Sequence, residues 1–244
     1  MRRGPIVAAL TVLGLVGVWE IVVRITGTPE YLVPAPSAIA EHLGSASGLL
    51  PAAAVTLLEA ITGLLIGASV GLLLAIGITF WGHLEQAVMS IALLVKSTPI
   101  IAVAPILTIW MGFGYGPKVV VTALLTFFPV LINAIEGFRS VDRSIHDWAR
   151  SLDASPAEIF MKIRWPSARP FLFAALKVAA PLAMIGAVVA EWMGASSGLG
   201  RHMWVAYANL DMPSLFAAVL VLTLLSAGVY RIVVEIEHRT IRWA

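Results

Sequence analysis

The sequence predicts an all-α membrane protein in which six transmembrane helices form a single domain over residues 1–244. Three observations carry that expectation. Apolar residues make up 59% of the chain, and the 20 glycines raise that share to about two-thirds, against roughly 45–50% in soluble domains. Charged residues fall to 12%, where soluble chains carry about 25%. Apolar runs near the ~20 residues needed to cross a bilayer recur six times, and a mean hydropathy of +0.93 spreads the excess over the whole length. An ordinary soluble enzyme is excluded, and six spans leave no room for a large added soluble domain. The net charge of +2 has a topological use in such a chain, so no nucleic-acid partner is expected. Without Cys, disulfides and thiolate chemistry are excluded.

The first apolar run, residues 6–19, follows Arg2 and Arg3 and has no small-x-small cleavage site after it, so it reads as a retained span. Glu20 and Arg24 stand four apart in acid-before-base order, which lets them partly neutralise each other. Gly27-Thr28-Pro29 ends this span. Pro29, Pro34 and Pro36 then favour extended chain, and residues 38–43 form a short amphipathic helix at the interface. The second span covers residues 52–80, with Gly63, Gly67, Gly71 and Ala75 every four residues on one face, a strip suited to close helix packing. The third run, 87–110, is interrupted at Lys96-Ser97-Thr98-Pro99 and again at Pro105, each proline removing a ladder donor, so it is predicted kinked or partly unwound. Spans four, five and six follow at 117–135, 171–192 and 214–234, the first two carrying Pro129 and Pro181.

Lys and Arg set the orientation. With the N-terminus inside, Arg2, Arg3, Arg139, Arg143, Arg150, Lys162, Arg164, Arg169, Arg231, Arg239 and Arg242 are cytoplasmic, while Arg24, Lys118 and Arg201 lie outside. Both termini are therefore expected to be cytoplasmic. The turn at 81–86 is the exception, with no Lys or Arg. Trp19, Trp81, Trp110 and Trp192 fall at span ends, where an aromatic belt belongs.

Residues 139–169 form the one long polar segment between spans. Val141, Ile145, Trp148 and Leu152 recur at helical spacing as an apolar stripe, with Arg143, Asp147 and Arg150 opposite. Ser155, Pro156 and Glu158 then spell N-cap, N1 and N3 of a capping box. The second helix presents Ile159, Phe160 and Ile163, and Pro166 and Pro170 are expected to end it. Two amphipathic helices this apolar need a surface to cover, whether membrane, their own bundle or a partner; a docking role is the leading reading.

These residues carry a resemblance. Asp147-Trp148-Ala149, Asp153 and Ile163-Arg164-Trp165-Pro166 keep the spacing of the signature E-A-A-x3-G-x9-I-x-L-P, so the chain resembles the permease subunits of binding-protein-dependent ABC importers, the type I fold. Tyr31-Leu32-Val33-Pro34-Ala35-Pro36-Ser37, Pro99 with Pro105 and Trp110, and Ala190-Glu191 with Gly194 to Gly200 resemble the nitrate, sulfonate, taurine and pyrimidine-precursor branch. The likeness covers about residues 30 to 230. It implies a homodimer in the lipid bilayer with the path between protomers, an extracytoplasmic solute-binding protein, and cytoplasmic ATPase subunits that bind the ATP and Mg. It assigns coupling to the ATPase to Asp147, Trp148, Ala149, Leu152, Asp153, Ile159, Phe160, Ile163 and Pro166. The departures are Asp for Glu at 147, Trp for Ala at 148, Asp for Gly at 153 and Trp for Leu at 165. Asp is among the few residues that tolerate the left-handed turn that Gly would make at position 153.

No G-x-x-x-x-G-K-[ST] occurs, so ATP cannot be held by a P-loop here. The chain is accordingly expected to be non-catalytic, with no metal or cofactor of its own. Gly194-Ala195-Ser196-Ser197-Gly198 matches G-x-S-x-G, but its flanks are a span and a Gly-rich outer loop rather than a strand and a helix. His42, His83, His146, His202 and His238 have no metal-ligand spacing. Ionisable groups at membrane depth are functional candidates: Glu59, Lys96, Glu136, Lys177 and Glu191. Lys96, Ser97, Thr98 and Pro99 either line a polar path at a broken helix or Lys96 snorkels to the interface, an option open to Lys177 as well. Glu136 and Glu191 sit at span ends, where solvation is the cheaper reading, although Glu191 could face the path.

Residues 187–200 and Ala208-Asn209-Leu210-Asp211-Met212-Pro213 resemble the thiamine-precursor pyrimidine and riboflavin members more than the sulfonate ones. A sulfonate or nitrate permease is the alternative within the family, and an ion-coupled secondary transporter the alternative outside it; only one broken segment and no inverted repeat are present for the latter. Trp148 and Trp165 enlarge the apolar faces of the polar segment. An ATPase subunit from a related system is therefore expected to couple poorly, measured as transport-stimulated ATP hydrolysis in the swapped complex.

Overall fold

The structure, a computed structural model, describes residues 3–45 and 48–241. Arg2 and Arg242, two of the cations in the orientation argument, lie outside the described residues. All regular elements among the described residues are helical. The first span is α1 (Arg3–Thr26), and the short interfacial helix is α2 (Pro36–Ser45). Glu20 and Arg24 pair as their spacing predicts. The Ser37 N–H and hydroxyl also donate to the Glu20 carboxylate, at 3.0 and 2.9 Å, so the pair ties α1 to the start of α2.

Three long helices make the centre: α3 (Leu49–Phe80), α6 (Tyr115–Arg139) and α9 (Trp165–Trp192). The small-residue strip does what its spacing predicts. A Cβ on Gly63, Gly67 or Gly71 would come closer than 3.0 Å to Thr122, to Thr126 and Ala123, or to the Phe127 carbonyl, all on α6. On α9, Ala175, Ala179, Ala180, Ala183 and Ala187 are buried in the core that α3, α6 and α11 (Met212–Thr240) share. Two further clusters mark the ends of the bundle. Ile78, Phe138, Phe160 and Ala168 close one end, called here the basic end because Arg139, Arg143 and Arg164 lie there. Leu49, Leu199, Met203 and Ala217 close the opposite end.

The third run departs from expectation in detail. A single 3-10 turn, Gly82–Leu84, leads into α4 (Glu85–Ser97) and α5 (Ile100–Met111), which meet at a 93° bend. The break falls at Thr98-Pro99, where both residues are extended; Pro105 lies inside α5 without breaking it. Proline displaces its predecessor from helical geometry most readily where that residue can leave the helix, and inside α5 it removes only one ladder bond. Among the described residues five helices are long and apolar enough to cross a membrane, six where the bent pair is taken as one broken span.

Pro166 and Pro170 do not end the second amphipathic helix, contrary to expectation. α7 (Arg143–Ser151) and α8 (Pro156–Ile159) form in the polar segment, but α8 passes through a π-helical turn, Phe160–Arg164, directly into α9. The wider π turn accommodates the backbone ahead of Pro166, whose ring would otherwise crowd the preceding turn. The result is one helical rod from Pro156 to Trp192.

The strip predicts a sharp contrast between two glycines of one helix. Gly67→Ala should lower stability by about 1–3 kcal/mol through overpacking against α6. Gly77→Ala, with open space around it, should leave stability unchanged or raise it, read from thermal unfolding in mild detergent.

Candidate functional site

At the basic end the polar segment folds into two helices with different fates. Asp142 caps α7, its carboxylate accepting from the Ser144 N–H at 3.2 Å. The stripe of α7 has no cover: Ile145, Trp148 and Leu152 are 47%, 64% and 62% exposed. Asp147 is exposed beside them, whereas Ala149 is buried on the bundle side. The helix stops at Asp153, which takes the left-handed conformation with φ 56°. The Asp153 N–H donates to the Arg150 carbonyl at 3.0 Å and the Ala154 N–H to that of Ala149 at 3.2 Å. This is the Schellman pattern, in which a glycine usually occupies the left-handed position. Asp153 therefore makes the turn that its place in the signature requires.

The capping box forms immediately afterwards. The Glu158 N–H donates to Ser155 Oγ at 3.2 Å and the Ser155 N–H to Glu158 Oε2 at 3.1 Å, while Lys162 Nζ donates to the same carboxylate at 3.0 Å. Unlike α7, this second helix is anchored. Ile159 and Phe160 are buried, and the Phe160 ring lies 5.2, 5.1 and 6.2 Å from those of Phe80, Phe138 and Trp165. Ile163 and Pro166 are half-buried. Ile159 and Phe160 thus cover the chain's own bundle, and the surface left for a partner is the α7 stripe, with Met161 also exposed nearby. The turn after α3 lacks its own Lys or Arg but is tied down by an ion pair from Glu85 to Arg139.

The opposite end holds a buried polar cluster that residue spacing did not reveal. Lys118 and Glu191 are 1% exposed and Glu59 is 4%, so Glu191 is not a solvated span end, and Lys118, in the first turn of α6, is enclosed. Covering them is α10 (Leu199–Ala208), a helix the sequence reading did not foresee, together with the loop before it. Thr56 donates to Glu191 Oε1 at 2.6 Å and accepts the Leu199 N–H at 2.8 Å; the Gly200 N–H donates to Glu191 Oε2. Lys118 Nζ donates to the carbonyls of Phe113 and Gly194 at 3.0 and 2.8 Å. Glu59 lies beside Glu191 and Lys118 in the same enclosure. Glu59 Oε2 has no partner among the described residues.

The cluster explains the Gly194 to Gly198 motif. Gly194 and Gly198 have φ of 142° and 106°, and a Cβ on Gly198 would collide with the Glu191 carboxylate. The glycines let the loop pass over a buried acid. The flanks are helical, so the strand-turn-helix setting of a hydrolase nucleophile is not there.

At the bend, Lys96, Ser97, Thr98 and Pro99 are exposed, and Lys96 Nζ sits 4.4 Å from the centroid of the Phe128 ring. Beside it is a cavity of about 320 Å³ whose walls include Lys96, Thr98, Leu125, Phe128 and Leu182. Lys177 does not snorkel: its Nζ meets both oxygens of Glu237, at 3.0 and 2.8 Å. No local spacing signals that pair, because its partners lie on different spans.

Residues 67–242 match the family model described as "Binding-protein-dependent transport system inner membrane component". The chain is 34% identical over 237 residues to the formylaminopyrimidine transport permease protein of Halalkalibacterium halodurans, covering 95% of this chain and 93% of the relative. It is 33% identical over 237 residues to the riboflavin transport system permease protein of Chloroflexus aurantiacus, covering 96% and 88%. Its fold is similar to that of a chain of the inward-facing MetNI methionine ABC transporter, with a TM-score of 0.57 at 22% identity, covering 77% of this chain and 94% of that one.

Thr56 both donates and accepts within the buried cluster, so Thr56→Val strands the Leu199 N–H and weakens the hold on Glu191. The expected loss is about 1–3 kcal/mol, accompanied by faster proteolysis within residues 193–198 at the opposite end.

Proposed function

The chain belongs to the family of binding-protein-dependent transport system inner membrane components and is the permease of an ABC importer, and from that premise we propose that it carries a small heteroaromatic solute. A thiamine-precursor pyrimidine or a riboflavin-like compound is the substrate class. Support comes from the two relatives whose names specify such solutes and which match this chain over nearly its full length.

The α7 stripe is the observation that carries the coupling role. Ile145, Trp148 and Leu152 form an uncovered apolar face on a helix fixed at both ends by caps. An apolar stripe on a rigid helix is suited to a groove on a partner. That partner is a cytoplasmic ATPase subunit, which holds the ATP and Mg that drive transport. Asp147, Trp148, Leu152 and Asp153 meet it directly, while Ile159, Phe160, Ile163 and Pro166 carry the movement into α9 through the helical rod. Ala149 seats α7 on the bundle. The basic end and both termini face the cytoplasm, in keeping with the excess of Lys and Arg there. A solute-binding protein delivers substrate at the opposite end.

A second copy of the chain completes the path, which runs beside the bend at Lys96-Ser97-Thr98-Pro99. Broken backbone is tolerated at membrane depth where it borders a cavity, and the bend borders one. Glu191 acts through the loop it holds rather than on the solute. Closure of the ATPases on ATP moves α7, and the rods rock to open the path outward.

Co-purification from the native host in mild detergent tests this reading. Trp148→Asp with Leu152→Asp alters only exposed side chains, so the chain should unfold as the wild type does while retained ATPase falls about 30-fold or more. Full retention of the ATPase by that variant would overturn the docking role. The substrate class is tested by calorimetry of the companion binding protein with a formylaminopyrimidine, riboflavin and taurine. Heat released by taurine alone would overturn it in favour of a sulfonate permease.

A further inference from the structure

Behind α7, on the side away from its exposed stripe, the basic end opens into a cleft of two lobes. One encloses about 430 Å³ and the other about 240 Å³, and they share Thr79, His146 and Arg164. Its walls bring together Arg139, Arg143, His146, Arg150 and Arg164, from α6, α7 and the π turn, and no carboxylate among the described residues lines either lobe. Arg139 is engaged by Glu85. Arg143, Arg150 and Arg164 have no carboxylate within ion-pair distance among the described residues. His146 reaches only Asp147, at 3.8 Å.

Unneutralised guanidinium groups facing one cleft repel each other unless an anion joins them. The cleft is not polar throughout. Ile78, Ile135 and Phe138 in one lobe and Ile159 and Phe160 in the other are buried walls beneath the cationic rim. A ligand that satisfies both parts carries a phosphate and an alkyl portion. The cleft also lies level with the end of a membrane-length apolar helix. Thr79, Phe80 and Gly82 line it where α3 ends its apolar run, and Phe80 and the adjoining Trp81 are exposed there, as residues at the headgroup level are.

We propose that this cleft binds the phosphate of an anionic phospholipid from the adjoining leaflet. The guanidinium forks suit phosphate oxygens, and the apolar walls take the first carbons of the lipid. The bound phosphate bridges α7 to α6 and to the π turn that leads into α9, so it sets how firmly α7 is held against the bundle. A lipid site here lies apart from the transport path and serves whichever solute is carried.

Native mass spectrometry of the purified full-length chain in a neutral detergent, with phosphatidylglycerol or phosphatidylcholine added, tests it. The wild type should retain phosphatidylglycerol in preference to phosphatidylcholine. Arg143→Gln and Arg164→Gln should each lower that retention about fivefold, and Arg239→Gln, an exposed cation outside the cleft, should not change it. Arg143 is exposed at the start of α7, so its single variant gives a reading even if the change at Arg164 disturbs folding.

Equal retention of the two lipids, or an equal loss with Arg239→Gln, would reduce the effect to general surface charge and overturn the proposal. Displacement of the lipid by inorganic phosphate at matched ionic strength would identify a free anion as the ligand and overturn the lipid source. Undiminished lipid retention in the Arg143 and Arg164 variants, with loss of the co-purifying ATPase, would assign these arginines to acidic groups of a partner and overturn it as well.

Discussion

At Gly63, Gly67 and Gly71 the backbones of α3 and α6 approach so closely that any side chain on α3 would strike α6. The rest of the bundle depends on this contact. Helices in lipid gain nothing from moving apolar surface out of water, so they associate through close packing and hydrogen bonds. With α3 and α6 in register, α9 can lay its row of alanines into the shared core, and Gly186 of α9 comes against Thr122 and Leu125 of α6. Small residues on successive helices make the core dense without long side chains. Bulky apolar groups are left to point outward, as Leu10, Leu13, Leu65, Leu73 and Leu224 do.

The two ends of the bundle are closed by different chemistry. At the basic end an aromatic group, Phe80, Phe138, Phe160 and Trp165, fixes the start of the rod that runs through α9. That leaves α7 as a separate short helix whose stripe, Ile145, Trp148 and Leu152, is exposed. At the opposite end the closure is polar. Glu191, Thr56 and Lys118 hold the loop and α10 by hydrogen bonds to backbone groups. Thr56 and Glu191 each bond to more than one of these groups, so the loop and α10 are held to α3 and α9 as one unit.

Much of this was legible in the sequence because it rests on local rules. The capping box at Ser155 and Glu158, the i, i+4 pair of Glu20 with Arg24, and the break at Thr98-Pro99 each depend on residues within a turn of one another. The four-residue recurrence of Gly63, Gly67 and Gly71 marked a packing face for the same reason, although the partner helix could not be named. The signature spacing in residues 147–166 identified the family, and the left-handed Asp153 followed from which residue types tolerate that geometry. Less legible were Pro105, Pro166 and Pro170. A proline's effect depends on whether the backbone around it can widen or bend, and a π turn does not show in residue types alone.

The sequence by itself determined the membrane class, the spans, the capped helices of the polar segment and the family, because hydropathy, helical periodicity and capping are properties of residues near one another in the chain. Tertiary structure alone decided what those residues face. It placed Ile159 and Phe160 inward and Trp148 and Leu152 outward. It joined Lys177 to Glu237 across 60 positions, and it drew Glu59, Lys118 and Glu191 into one buried cluster beneath α10. Each of these outcomes is set by the crossing of helices far apart in sequence, and whether an ionisable group is solvated or enclosed is fixed only when that crossing brings another element over it.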